Sequence, residues 1–167
     1  MSARSGLFFL ASVLALAVLS GCTHRAPLAG TASRHSITPL LSGDRDLIVI
    51  TALAQVGKPY RFGGNGPEAF DCSGLVRHAY RTGGADTPRT TAELFRRGQV
   101  IELAKAQPAD LLFYRLDAGR DAPSHVVFYL GNSEGIHAPS SGGQIRAVRI
   151  DTPYFSQRFA GARRLLQ

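Results

Sequence analysis

Apolar residues change their spacing twice along this chain. A solid apolar run, "GLFFLASVLALAVL" (6–19), comes first. Helical spacing follows from residue 44, and strict alternation takes over near residue 110. Asp44 is a good N-cap for a helix in which Val49, Leu53 and Val56 recur at i, i+4 and i+7, with Gly57 as its stop. The loop "KPYRFGGNGPEAF" then leads to a second helix over about 72–82. On it Cys72, Leu75, Val76 and Ala79 share one face. A shorter helix is expected near 91–98, capped by Thr90 or Thr91. "DLLFYR" (110–115), "HVVFYLG" (125–131), "EGIHA" (134–138) and "QIRAVRI" (144–150) read as strands, and "RFAGARRLL" (158–166) as a segment that closes the sheet. Helices first and strands afterwards predict an α+β fold with a mostly antiparallel sheet.

The first apolar run holds 14 residues, short of the roughly 20 that cross a bilayer. Arg4 precedes it and small residues follow it, the pattern of an export signal. Its end, Leu19-Ser20-Gly21-Cys22, resembles the bacterial lipobox, which implies lipidation of Cys22 as the first mature residue. The expected organisation is a signal peptide over 1–21, a lipidated flexible tether over 22–43 and one domain over 44–167. Thr23 stands where an Asp commonly signals inner-membrane retention, so the resemblance implies an outer-membrane anchor with the domain in the periplasm. The tether is rich in Thr, Ser, Ala, Pro and Gly without periodicity, and its His24 and His35 are expected to be solvated.

The chain carries a net charge of +7, and removing residues 1–21 takes away one arginine, leaving +6. Lysine contributes only Lys58 and Lys105. An exported basic chain meets anionic wall or lipid rather than nucleic acid.

With Cys22 lipidated, Cys72 is an unpaired thiol in an oxidising compartment. A free cysteine is often a small buried hydrophobe, but two features favour a nucleophile. Cys72 has no disulfide partner, and it falls in the first turn of a helix, where unsatisfied N–H groups and the dipole favour a thiolate. A nucleophilic cysteine needs a base and a group that orients it. His78 lies about 240° round the helix from Cys72, so it is the wrong histidine. His125, Val127 and Tyr129 share one strand face, and a tight turn can bring His137 beside His125. The resulting set is Cys72, His125 and His137. Zinc is the chemical rival, but H-E-x-x-H and C-x-x-C are both absent. A serine hydrolase through Ser73 lacks the G-x-S-x-G elbow.

The segments "YRFGG", "FDCSGLV", "TPRTT", "ADLLFYR", "SHVVFYLGN" and "IHAPSSGG", in this order, resemble the NlpC family of papain-like cell-wall cysteine peptidases. Within it they are nearest the small lipoprotein murein endopeptidases of Gram-negative bacteria. The resemblance implies Cys72 as nucleophile, His125 as base and then acid, and His137 as the orienting member. It implies Tyr60 in the oxyanion environment, and Asp71 and Ser73 as substrate-binding positions, although Asp71 equally reads as a helix cap. Arg89 is left between a structural and a substrate-facing role. The substrate implied is the stem peptide of peptidoglycan, cut at the D-Ala–meso-diaminopimelate cross-bridge or, as the second choice, at the γ-D-Glu–diaminopimelate bond. A non-catalytic peptidoglycan-binding envelope lipoprotein is the reading from another class. No metal and no organic cofactor are implied; a regulatory protease or adaptor is an open partner class. Val127 and Ala109 stand where the family more commonly has glycine.

Overall fold

Asp44 caps the first helix as the sequence suggests: its side chain accepts from the Leu47 backbone N–H at 2.9 Å. The structure, a computed structural model, describes residues 43–167 apart from Ala118, Arg120 and Ser141. The signal peptide, all but the last residue of the tether, and with them Cys22, His24 and His35, lie outside the described residues. Helix α1 spans Arg45–Leu53, but its buried face is Ile48, Thr51 and Ala52. Leu53 and Val56, expected inside, are 44% and 47% exposed. "LIVITALAQV" is apolar almost all round, so periodicity could not choose the face. Packing chose it: a Cβ on Gly83 would meet Ile48 Cγ1 at 2.2 Å, and that close approach seats α1 on the end of the second helix.

Helix α2 is Cys72–Thr82, with Leu75, Val76, Ala79 and Tyr80 buried. Helix α3 is Thr91–Arg97. Strand β1 (Gln99–Ile101), a 3₁₀ turn at Leu103–Lys105 and β2 (Leu111–Tyr114) follow, then β3 (His125–Gly131), β4 (Glu134–His137), β5 (Arg146–Arg149), the short α4 (Pro153–Ser156) and β6 (Phe159–Arg164). The six strands form one sheet in the order β1-β6-β2-β3-β4-β5, and every neighbouring pair is antiparallel. The C-terminal strand does not close the sheet at an edge. It inserts between β1 and β2, and β1, too short to show a pattern of its own, becomes the edge.

Alternation along the strands divides the core into two layers. Leu111, Phe113, Val126, Phe128 and Ile136 face α1 and α2. Leu112, Tyr114, Val127 and Tyr129 face the other way, where Phe155 of α4 and Ile150 cover them. Both glycine departures now have a physical account. Val127 is fully buried, and Gly135 on β4 makes room for it: a Cβ there would lie 2.4 Å from Val127 Cγ1. Ala109 sits at φ 73°, a conformation that costs an L-residue roughly 1–2 kcal/mol. Its carbonyl accepts from the buried Tyr80 hydroxyl at 2.6 Å, which holds it there. Ala109→Gly is therefore expected to raise stability by about 0.5–1 kcal/mol after the entropy of the unfolded glycine is subtracted; a urea melt checks it.

Candidate active site

The loop between α1 and α2, "KPYRFGGNGPEAF", is what locks the start of α2. Asp71 is the N-cap of that helix. Its Oδ1 accepts from the Gly74 N–H at 2.6 Å and its Oδ2 from the Gly63 N–H at 3.1 Å. The Asp71 N–H in turn donates to Gly64 O at 3.0 Å. Gly74 has to be glycine, because a Cβ there would lie 1.9 Å from Gly64 O. Arg89 completes the lock. Its two terminal nitrogens meet Asp71 Oδ1 at 3.0 Å and Oδ2 at 2.7 Å, and one of them also meets Ser73 Oγ at 3.0 Å. Ser73 donates to Asp71 Oδ1 at 3.3 Å. Arg89 is thus a clamp on the residues that flank the cysteine, and the capping role of Asp71 is the one the structure displays.

Cys72 is the first residue of α2 and is partly buried. Its Sγ lies 3.5 Å from Thr91 Oγ1. Sequence reading left open which threonine caps α3. Thr90 does so, in a capping box with Glu93, and that frees the Thr91 hydroxyl for the sulfur. Thr91 is the residue that sequence reasoning missed; its only signal was the pair of threonines after Arg89. The sulfur also faces the backbone N–H groups of Val126 and Ser73, which favour its ionised form. Burial nevertheless outweighs them and, with the Asp71 charge, pushes the thiol above its ordinary value. The helix start favours the thiolate, and burial opposes it.

His125 opens β3 and His137 ends β4; both are buried, at 3% and 6% exposure. Register pairs Phe128 with Ile136, which makes the two histidines diagonal neighbours on one face. His125 Nε2 lies 2.9 Å from His137 Nδ1, and the rings meet edge to face, 5.1 Å apart at 85°. Cys72 meets the same strand at the backbone of Val126, the residue after His125. Burial, then the His137 neighbour, lowers His125 to about 3. Burial, then Arg146, lowers His137 to about 4. Burial therefore opposes charge on the thiol and on both imidazoles. Two pH signs follow. Iodoacetamide labelling of Cys72 in the free protein is expected to rise only above the ordinary cysteine value of about 8.5. The acid limb of kcat/KM is expected well below the free-histidine value of about 6.5, so that activity persists at pH 5.

Tyr60, Phe62, Ser73, Arg89 and Thr91 line, with Cys72, a cleft of about 510 Å³. Burial, then the nearby Cys72 and Asp71, raises the Tyr60 hydroxyl above its usual value and keeps it a proton donor. His78 is elsewhere, with its ring 5.1 Å from that of Phe70. Among the described residues, no three His, Cys, Asp or Glu side chains come together as a metal-holding group.

A cysteine at a helix start, a buried histidine pair on the adjoining sheet and an arginine clamp on the flanking residues form one constellation. The NlpC/P60 family model matches residues 57–164, which contain all of it. The chain belongs to the NlpC/P60 family. Murein DD-endopeptidase MepH of Escherichia coli is 38% identical to this NlpC/P60 chain over 118 residues, covering 68% of it and 43% of that protein. A gamma-D-glutamyl-L-lysine dipeptidyl-peptidase of Bacillus cereus is 31% identical over 121 residues, covering 72% and 36%. The crystal structure of an NlpC/P60 family protein from Bacillus cereus superposes with a TM-score of 0.70 at 30% identity, over 79% of this chain and 43% of that one. The chain thus spans less than half the length of these relatives.

Proposed function

We propose that this NlpC/P60 chain is a cysteine peptidase that cuts stem peptides of peptidoglycan. The observation that carries the reading is the buried His125–His137 pair at the strand end where Cys72 meets the Val126 backbone. With His125 Nε2 committed to His137, Nδ1 is the ring nitrogen left for the thiol. As Sγ attacks the scissile carbonyl, the thiol proton passes to His125 Nδ1. Collapse of the tetrahedral intermediate breaks the C–N bond, and His125 returns the proton to the leaving amine. Water, activated by the same imidazole, then hydrolyses the thioester and restores the thiol. The Tyr60 hydroxyl and the Cys72 backbone N–H are the donors assigned to the oxyanion. His137 orients the base.

The bond favoured is the D-Ala–meso-diaminopimelate cross-bridge. Recognition of a free stem amine needs an available carboxylate, and both oxygens of Asp71 are already engaged by Arg89 and by backbone N–H groups. The match to a murein DD-endopeptidase supports the same choice, and the match to a γ-D-glutamyl peptidase supports the alternative. The lipobox-like Leu19–Cys22 supports a lipid anchor at Cys22 and an outer-membrane, periplasm-facing location. Digestion of a purified cross-linked muropeptide dimer, followed by mass spectrometry, tests the bond. Intact tetrapeptide monomers are the expected product, whereas release of the L-Ala–D-Glu end would move the cut to the γ-D-Glu bond.

A further inference from the structure

The proton on His125 has a consequence one residue further on. If Nδ1 of His125 is to accept from the thiol, its Nε2 carries hydrogen and donates to His137 Nδ1. Neutral His137 then carries its own proton on Nε2. That N–H is buried and has no hydrogen-bond partner among the described residues. Such a donor costs roughly 1–3 kcal/mol if it stays unpaired.

His137 also lines, together with His125, a second cleft of about 330 Å³ whose lining does not include Cys72. Leu116, Ser140, Arg146, Tyr154 and Phe155 help to line it, and no Asp or Glu is among its lining residues. Arg146 stands directly opposite His137 in the β4–β5 register, and its charge is felt at the ring. It forms no ion pair among the described residues, whereas Arg149, three residues along the same strand, is paired with Asp151. A buried N–H donor and an unpaired guanidinium therefore converge on one cleft without an anion.

We propose that this second cleft binds a carboxylate, which accepts from His137 Nε2–H and pairs with Arg146. The carboxylate would supply what the third member of this set lacks. In a Ser-His-Asp arrangement the acid both orients the base and stabilises the imidazolium that forms during attack. A neutral imidazole at His137 orients His125 but brings no charge. An anion on its far side offsets the burial and the Arg146 charge that now hold the pair's basicity down. The result is a four-member chain, from Cys72 through His125 and His137 to the bound carboxylate, in which occupancy of the second cleft raises the basicity of the first. Peptidoglycan stems carry free carboxylates, so substrate of the proposed class has the required chemistry.

The inference rests on the catalytic role proposed for the histidine pair, but its test reads binding without hydrolysis, and the two fail separately. Sodium acetate is titrated into the full chain in detergent at constant ionic strength set with sodium chloride. The His137 Nε2–H resonance is followed in a histidine-selective ¹H–¹⁵N spectrum. A saturable downfield shift is expected, with affinity at least tenfold weaker in Arg146→Gln and largely kept in Arg146→Lys. No saturable shift, or the same affinity in Arg146→Gln, overturns the proposal. Acetyl-D-alanine is the second probe. Tighter binding than acetate assigns the carboxylate to a stem peptide, and equal binding assigns it to a small free acid.

Discussion

Cys72→Ala is expected to abolish cleavage of cross-linked muropeptides, with a loss of at least about 10³-fold in kcat/KM, while the fold survives. The sulfur supplies the bond-forming electron pair, and no other residue of the cleft replaces it: Ser73 Oγ is held by Asp71 and Arg89. His125→Ala should cost about as much. A thiol whose ionisation is opposed by burial needs a base to take its proton during attack. Nucleophile and base act as a unit, so the double variant should be no worse than either single one. Residual turnover then measures what Tyr60, the backbone donors and binding contribute alone. Initial rates by liquid chromatography, with circular dichroism as the fold control, check the set. Either single variant keeping more than a tenth of the wild-type rate would contradict the assignment.

Arg89→Met is the second large effect, and it acts on stability first. Asp71 is almost buried, and Arg89 is its only cationic contact among the described residues. Removing the guanidinium leaves a carboxylate held by backbone N–H groups but uncompensated, worth about 2–4 kcal/mol and a fall in Tm of roughly 10 °C. The same uncompensated charge lies near Cys72, where Asp71 already raises the thiol, so Cys72 should alkylate more slowly at fixed pH. Adding Asp71→Asn to Arg89→Met removes the stranded charge and should recover part of the lost stability. That gives a coupling of more than 1 kcal/mol in the double-mutant cycle. Additive losses would mean that the arginine acts through something other than Asp71.

Much of this architecture was legible along the chain, for reasons that differ from element to element. Helix α2 carries a cap, an apolar stripe and Gly83, and its bounds follow from those three signals. Strand β3 alternates without interruption, so its faces, and therefore the neighbourhood of His125, follow from a period of two. The histidine pair needed only a tight turn between β3 and β4 to become a contact. The inward face of α1 was not legible, because nearly every position there is apolar and the choice was made by Gly83. Strand β1 and α4, three and four residues long, are defined by their tertiary neighbours and leave no periodic trace. The lock around Asp71 was hidden for another reason. It is made of backbone N–H groups and glycines, which signal a turn but not what the turn holds. The upward push on the Cys72 thiol escaped for a third: the helix dipole is written in the sequence, whereas the burial that opposes it exists only after folding.

Trapping the covalent intermediate tests Cys72 as the nucleophile directly. The full chain is mixed with cross-linked muropeptide, quenched in acid within the first turnover and examined as intact protein and as peptides by mass spectrometry. A thioester adduct of one acyl stem on Cys72 is expected, absent in Cys72→Ala and in enzyme alkylated beforehand. Hydrolysis that continues with no adduct on Cys72, or an adduct on another residue, would contradict it.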